Sequence, residues 1–233
     1  MKIRSLHPWE LSPTEAIALQ RRLADQVDTR TPLTCCQRIA GADISYDRFS
    51  NVFYAGVVVL NMEDLTVIET QGVMRETAFP YIPGLLSFRE TPPLLEAFAN
   101  LKCEPDLVMI DGHGYSHPRR CGYASHVGLW LDRPCIGCAK TRLIGTYEEP
   151  GRKAGCVSPL QDHDEVIGQV VRTKTGIKPV FVSVGHKIDL HGAVDLVLAT
   201  CRGYRIPEPT RQAHLHVNTL RREAACRGRK GNL

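Results

Sequence analysis

Three carboxylates in this 233-residue chain stand where a folded core resists charge. Asp43 falls inside an apolar run, RIAGADISY (38–46), Asp111 ends another, DLVMIDG (106–112), and Glu90 follows PYIPGLLSF. A carboxylate inside or ending a core strand is costly to desolvate unless a basic partner, a backbone cap or a cation compensates it. Taken singly, each has an ordinary alternative, because Asp at a strand end commonly forms a turn or caps a helix. Together, two Asp on adjacent strands and a Glu from a nearby helix make an oxygen-only donor set suited to Mg²⁺ or Mn²⁺. Phosphodiester hydrolysis needs such charge, to activate a water and to stabilise the leaving oxygen.

Basic groups and glycines cluster at the same places. DGHGYSHPRR (111–120) sets His113, His117, Arg119 and Arg120 directly after Asp111, interleaved with Gly112 and Gly114. Arginine offers bidentate contacts to phosphate, and glycine lets the backbone approach a ligand closely. Arg89 precedes Glu90, and Lys140 follows the apolar run RPCIGCA (133–139). In PYIPGLLSFRE (80–90), Pro80 and Pro83 stiffen a loop tip carrying Tyr81 and Ile82. Such a tip either packs against the protein or prises apart stacked bases, and its composition alone leaves both open.

The elements that would position these groups follow from periodicity. Residues 14–28 have helical spacing, with Thr14 as a candidate cap. Runs 38–46, 52–60 and 65–75 read as three strands with short connections, the first turn being DRFSN, and so as an antiparallel meander. Helical segments at 87–101 (in its second half), 119–131 and 189–201 then alternate with apolar strands at 106–112, 133–139 and 179–185. A last helix is expected from Glu208 to about Arg222, with a basic, frayed, flexible tail over 223–233. A meander followed by strand–helix alternation predicts an α/β fold, a mixed sheet flanked by helices, in one domain spanning 1–233.

Composition narrows the function classes. The net charge of +4 permits nucleic-acid binding without requiring it. No apolar leader precedes residue 14 and no run is long enough to span a bilayer, so a cytoplasmic protein with no membrane partner is expected. In that compartment the nine Cys behave as small hydrophobes. Zinc at Cys135 and Cys138 is the lesser alternative, because no second CxxC and no HxxxH accompanies the pair.

GADISY (41–46), PYIPGLLSFRE (80–90), DGHGYSHPRRCGYASHVGL (111–129), IGCAK (136–140), VGHKIDL (184–190) and YRIPEPTRQAH (204–214) resemble, in order and spacing, the signature segments of the endonuclease V family. The resemblance covers residues 15–222 and implies a ribonuclease H-like fold: a mixed five-stranded sheet with helices on both faces. It implies that Asp43, Glu90 and Asp111 are the metal-binding and catalytic carboxylates, with Mg²⁺ as cofactor and Mn²⁺ as a substitute. Lys140 matches a catalytic basic group facing the cleaved phosphate. His214 matches a residue at the metal site that is Asp in some members. Tyr81, Ile82 and Pro83 match the strand-separating wedge, with Tyr81 at its tip. The lesion pocket is built from backbone at Gly84, Leu86 and Gly112, and Arg89, His117 and Arg119 are assigned to substrate or phosphate contact.

The activity implied is DNA repair: recognition of deoxyinosine, the deaminated form of deoxyadenosine, by a monomer. Cleavage is expected at the second phosphodiester bond on the 3′ side, leaving 3′-hydroxyl and 5′-phosphate ends. An inosine-specific endoribonuclease, or another ribonuclease H-like nuclease, would carry similar carboxylates and stays open. A binding protein without activity would be expected to lose one of Asp43, Glu90 and Asp111, and all three are present.

Overall fold

The computed structural model describes residues 1–47 and 51–230, with side chains to 226. Residues 48–50 of the expected DRFSN turn and residues 231–233 of the tail lie outside the described residues. Helix α1 (Pro13–Ala24) starts two residues earlier than its periodicity suggests, at Ser12 rather than Thr14. Ser12 Oγ accepts from Glu15 N and Glu15 Oε2 accepts from Ser12 N, a reciprocal cap with Pro13 pre-set for the first helical position.

Strands β1 (Arg38–Tyr46), β2 (Val52–Asn61) and β3 (Val67–Glu76) form the expected antiparallel meander. Helix α2 (Leu86–Ala99) runs through Pro92 and Pro93, so the first half of this segment is helical as well as the second. Each proline removes one i→i−4 bond, and burial of Phe88, Leu94, Leu95 and Phe98 holds the helix in place. Strand β4 (Leu107–Ile110) pairs in parallel with β1. Helix α3 begins at Tyr123 and ends at Leu131, later than the expected 119, because Arg120 adopts φ +53° and the chain straightens only at Gly122. Strand β5 (Cys135–Ala139) lies parallel to β4.

Beyond β5 the sheet departs from expectation. Strands β6 (Val157–Asp162) and β7 (Glu165–Val171) form a hairpin where no element was expected, and β8 (Val180–His186) runs antiparallel to both β5 and β7. The sheet therefore has eight strands, in the order β3-β2-β1-β4-β5-β8-β7-β6, rather than five. Helix α4 (Leu190–Ala199) follows, and α5 (Glu208–Lys230) continues well past Arg222 into the segment expected to fray. Among the described residues, no helix is long and apolar enough to cross a membrane.

Side chains alternate across the sheet and build a core layer on each face. Ala40, Ala42, Val57 and Val108 pack with Leu94 and Phe98 of α2 and with Val127 and Trp130 of α3. Ile39, Val58, Met109 and Ile136 pack on the other face with Val194 and Val197 of α4 and Ala213 of α5. The first turn of α5 presses on β1 so closely that a Cβ on Gly41 would lie 1.8 Å from the Pro209 carbonyl oxygen. Gly41 and Asp43 share a face of β1, so this contact brings α5 to Asp43.

Candidate active site

The central parallel strands set the two aspartates side by side. Ala42 pairs with Ile110, and Asp111 N donates to Ala42 O at 3.3 Å, so Asp43 and Asp111 occupy neighbouring positions at one end of β1 and β4. Glu90 reaches the same end from α2 and is buried, as is Asp43. Desolvation raises the pKa of Asp43, and the Asp111 charge raises it further. Glu90 is pushed up to about 8, first by desolvation and then by Asp43, with a smaller contribution from Asp111. The mutual effect places the three carboxyl groups within electrostatic reach of one another.

Two basic side chains complete the cluster. Lys140, directly after β5, donates from Nζ to Asp111 Oδ2. On α5, Asn218 Nδ2 lies 3.1 Å from His214 Nε2. Asn218 donates there, which leaves Nδ1 as the N–H of His214, donating to Asp43 Oδ2 at 2.8 Å. All five residues expected to be catalytic therefore meet at one end of the sheet. Among the described residues, no three His, Cys, Asp or Glu side chains stand ready-placed around a single ion. An oxygen of each aspartate is instead engaged, Asp111 by Lys140 and Asp43 by His214. The chemistry of the donor set still fits a hard divalent cation: only carboxylate oxygens, two of them desolvated and all repelling one another.

Beside the carboxylates lies a cavity of about 180 Å³. Gly84, Leu86 and Gly112 line it, together with Tyr81, Ile82 and Pro83. Tyr81 is 64% exposed, which favours the free loop tip over the packed one. Gly84 has φ +80°, so the turn favours glycine, and a Cβ there would lie 2.8 Å from the end of the Arg119 side chain and displace it. Helix α2 starts at this turn with no side-chain cap; Phe88 N donates to Leu85 O at 3.1 Å, and the N–H groups of Leu86 and Ser87 have no i−4 carbonyl within the helix.

His117 and Arg119 both hold this turn, and His117 also lines the cavity. Arg119 N donates to His117 Nδ1 at 3.1 Å, so His117 donates from Nε2 to Gly84 O. Burial lowers the His117 pKa to about 4, and the imidazole is neutral. Arg119 adds a second bond to Gly84 O at 2.8 Å and a third to Gln20 Oε1. Arg89 stacks over Phe53, 4.8 Å from the ring centroid. Arg120 is likewise engaged, by Asp162 at 2.8 Å and Glu165 at 2.9 Å on the β6–β7 hairpin. Tyr115 donates to the other oxygen of Glu165 at 2.6 Å, so the hairpin braces the loop after Asp111 from both sides.

The cysteine pair gives no metal centre. Cys135 packs in one core layer and Cys138 in the other, as odd spacing along a strand requires. Sequence reasoning also missed pocket residues. Gln20 on α1, Ser87 on α2, and Tyr123 and Leu143 all line the cavity. Gln20 is polar and buried on an otherwise apolar helix face, a signal readable in advance. Leu143 lies in a segment with no periodicity and carried none.

Comparison with known proteins bears on this geometry. A family model for Endonuclease V matches residues 18–215. An Endonuclease V from Dehalococcoides mccartyi is 49% identical over 220 residues, covering 94% of this chain and 99% of that protein. The crystal structure of an Endonuclease V from Streptomyces avermitilis superimposes with a TM-score of 0.90 at 40% identity, covering 97% of this chain and 100% of that one. A Ciona intestinalis Endonuclease V, solved in complex with a 23mer DNA containing an inosine followed by a ribo-adenosine, gives a TM-score of 0.81 at 27% identity. That match covers 92% of this chain and 100% of the other.

Proposed function

This chain belongs to the endonuclease V family, and on that premise we propose that it is a Mg²⁺- or Mn²⁺-dependent endonuclease that cuts DNA at the second phosphodiester bond 3′ to a deoxyinosine, leaving 3′-hydroxyl and 5′-phosphate ends. The observation that carries the reading is the continuity of pocket and carboxylates along the chain. Asp111 joins the cluster and Gly112, the next residue, lines the cavity. Leu86 and Glu90 do the same one turn apart on α2. A base held in the pocket is thereby kept at a fixed distance from the carboxylates, which is what cleavage at a fixed offset from a lesion requires.

Asp43, Glu90 and Asp111 would hold the cation, with His214 fixing the orientation of Asp43. When bound, Mg²⁺ or Mn²⁺ supplies charge that activates a water and stabilises the leaving 3′-oxygen. Lys140 carries its ammonium beside Asp111 and presents positive charge to the scissile phosphate. The target base must leave the stack, at a cost of a few kcal/mol, and Tyr81 at the exposed tip would fill the gap. The pocket then takes the base against the N–H groups at the start of α2.

One assay tests this directly. A labelled duplex with a single deoxyinosine is incubated with Mg²⁺ or with EDTA, beside the undamaged duplex and an inosine RNA. The expected result is one cut 3′ to the lesion that disappears in EDTA and in Asp111→Asn, a variant that keeps shape and deletes charge. Equal cutting of undamaged DNA would overturn lesion recognition, activity surviving in EDTA would overturn metal dependence, and preferential cutting of the RNA would reassign the substrate.

A further inference from the structure

One polar side chain in the cavity has its polarity set from outside it. Ser87, in the first turn of α2, lines the pocket, and its Oγ lies 3.0 Å from Nδ1 of the buried His126 on α3. His126 Nε2 lies 2.8 Å from Nε2 of His7 on the N-terminal segment. His7 Nδ1 in turn lies 2.8 Å from the Pro8 carbonyl oxygen. Trp9 and Trp130 enclose the two imidazoles, with Trp9 stacked on Trp130 at 4.8 Å.

The order of protons along this chain follows from its outer end. A carbonyl oxygen only accepts, so His7 Nδ1 carries a hydrogen and donates to Pro8. Burial lowers the pKa of His7 and of His126, and each ring is neutral with a single N–H. His7 Nε2 is therefore a bare acceptor, receiving His126 Nε2–H and also Trp130 Nε1–H at 3.2 Å; Trp130 Nε1 lies equally 3.2 Å from His126 Nε2, which has no lone pair to offer while it donates to His7. With its hydrogen on Nε2, His126 presents a bare Nδ1 to Ser87. The serine hydroxyl must donate to it, and only the lone pairs of Oγ are left for the pocket.

Three other polar side chains lining the cavity are already engaged, whereas the buried hydroxyl of Tyr123 has no hydrogen-bond partner among the described residues and is free to donate or accept. Gln20 donates to Cys121 O and accepts from Arg119. His117 spans Gly84 O and Arg119 N. His113 spans Ser116 Oγ and Thr141 O.

We propose that Ser87 Oγ, oriented by His126 and His7, is a specificity-determining acceptor that selects a flipped purine carrying N1–H and rejects one with a bare N1. The proposal rests on reading the cavity as the pocket for a deaminated base. Deamination of adenine replaces the 6-amino group by a carbonyl and places a hydrogen on N1. Hypoxanthine therefore donates to Ser87, whereas adenine would set lone pair against lone pair in an apolar cavity. A site built around a hydrogen bond rejects a base that leaves its partner unpaired. Guanine also carries N1–H, so this contact separates hypoxanthine from adenine and not from guanine.

The test measures binding of single-stranded oligonucleotides without added divalent cation, so that neither flipping from a duplex nor cleavage enters. The probes carry one deoxyinosine, one deoxyadenosine or one deoxynebularine, a purine nucleoside with a bare N1 and no 6-substituent. Wild type should prefer deoxyinosine over both others. Ser87→Ala should weaken deoxyinosine binding by about ten-fold and tighten deoxynebularine binding by a few-fold, because the opposed lone pairs are gone. His7→Phe keeps the aromatic packing, removes the Nε2 acceptor and lies outside the pocket. His126 can then shift its hydrogen to Nδ1 and free the serine O–H, so the preference should narrow by several-fold through tighter deoxynebularine binding. Equal losses on all probes in Ser87→Ala, or an unchanged preference in both variants, would overturn the role of Ser87. A wild type with no preference would overturn the reading of the pocket itself.

Discussion

Glu90 should make the metal-free protein lose stability as pH rises. Its folded pKa stands at about 8 against an ordinary 4.5, raised by desolvation and by Asp43 and Asp111. For an acid whose folded pKa is raised, the folded state holds a proton that the unfolded state has released. Stability is therefore full below the unfolded value, falls through the window between 4.5 and 8, and levels off above it. Between pH 5.5 and pH 8.5 the linkage integral for these two values amounts to about 3 kcal/mol lost. Asp43, also raised, adds a loss of the same sign. Urea unfolding in EDTA at several pH values measures it, with Glu90→Gln as the comparison. The glutamine keeps the size, carries no proton to release and relieves Asp43 of one charge, so its profile should be flatter by about that 3 kcal/mol. Saturating Mg²⁺ should flatten the wild-type profile as well, because a cation compensates the ionised cluster. A Glu90→Gln profile as steep as wild type would refute the assignment of the cost to Glu90.

Tyr81→Ala should fold normally, because the side chain is mostly exposed, and should weaken binding to duplex deoxyinosine far more than to the same lesion in a single strand. Equal losses on both, read by fluorescence anisotropy, would count against the wedge. Arg120→Ala should cost about 1–2 kcal/mol in thermal unfolding, through its partly buried network with Asp162 and Glu165. It should leave the slope of log K against log salt unchanged. A slope shallower by about 0.9 would show that Arg120 contacts phosphate after all.

The parts of the fold that could be read in advance are those where periodicity and burial agree. Strands β1, β2, β4 and β8 carry apolar side chains on both faces, and an unbroken run of that length admits few other structures. The hairpin of β6 and β7 had no such signal. β6 is the edge strand and half solvated, Pro159 interrupts it, and the turn at 162–165 contains no glycine. Helix α2 was legible only after its prolines, because a proline in a sequence argues against helix with no knowledge of what the helix buries. The end of α5 carried no clear signal: a basic, glycine-bearing composition argues for fraying, and the helix bounds run to Lys230.

The catalytic residues were legible for a different reason than the pocket residues. Asp43 and Asp111 are anomalies against their neighbours, since charge inside an apolar run demands an explanation even when nothing is known of the fold. The basic loop showed the limit of that reasoning. Arg119 and Arg120 stand out in sequence because they follow Asp111, but the partners that orient them, Gly84, Gln20, Asp162 and Glu165, are distant in sequence and close only after folding. Ser87 and His126 are ordinary residues in a line of sequence and acquire meaning from one another and from His7, across 119 positions. A charge out of place can be seen in one dimension. The orientation of a hydrogen bond cannot, because it is a property of the chain of partners that ends, here, at the carbonyl of Pro8.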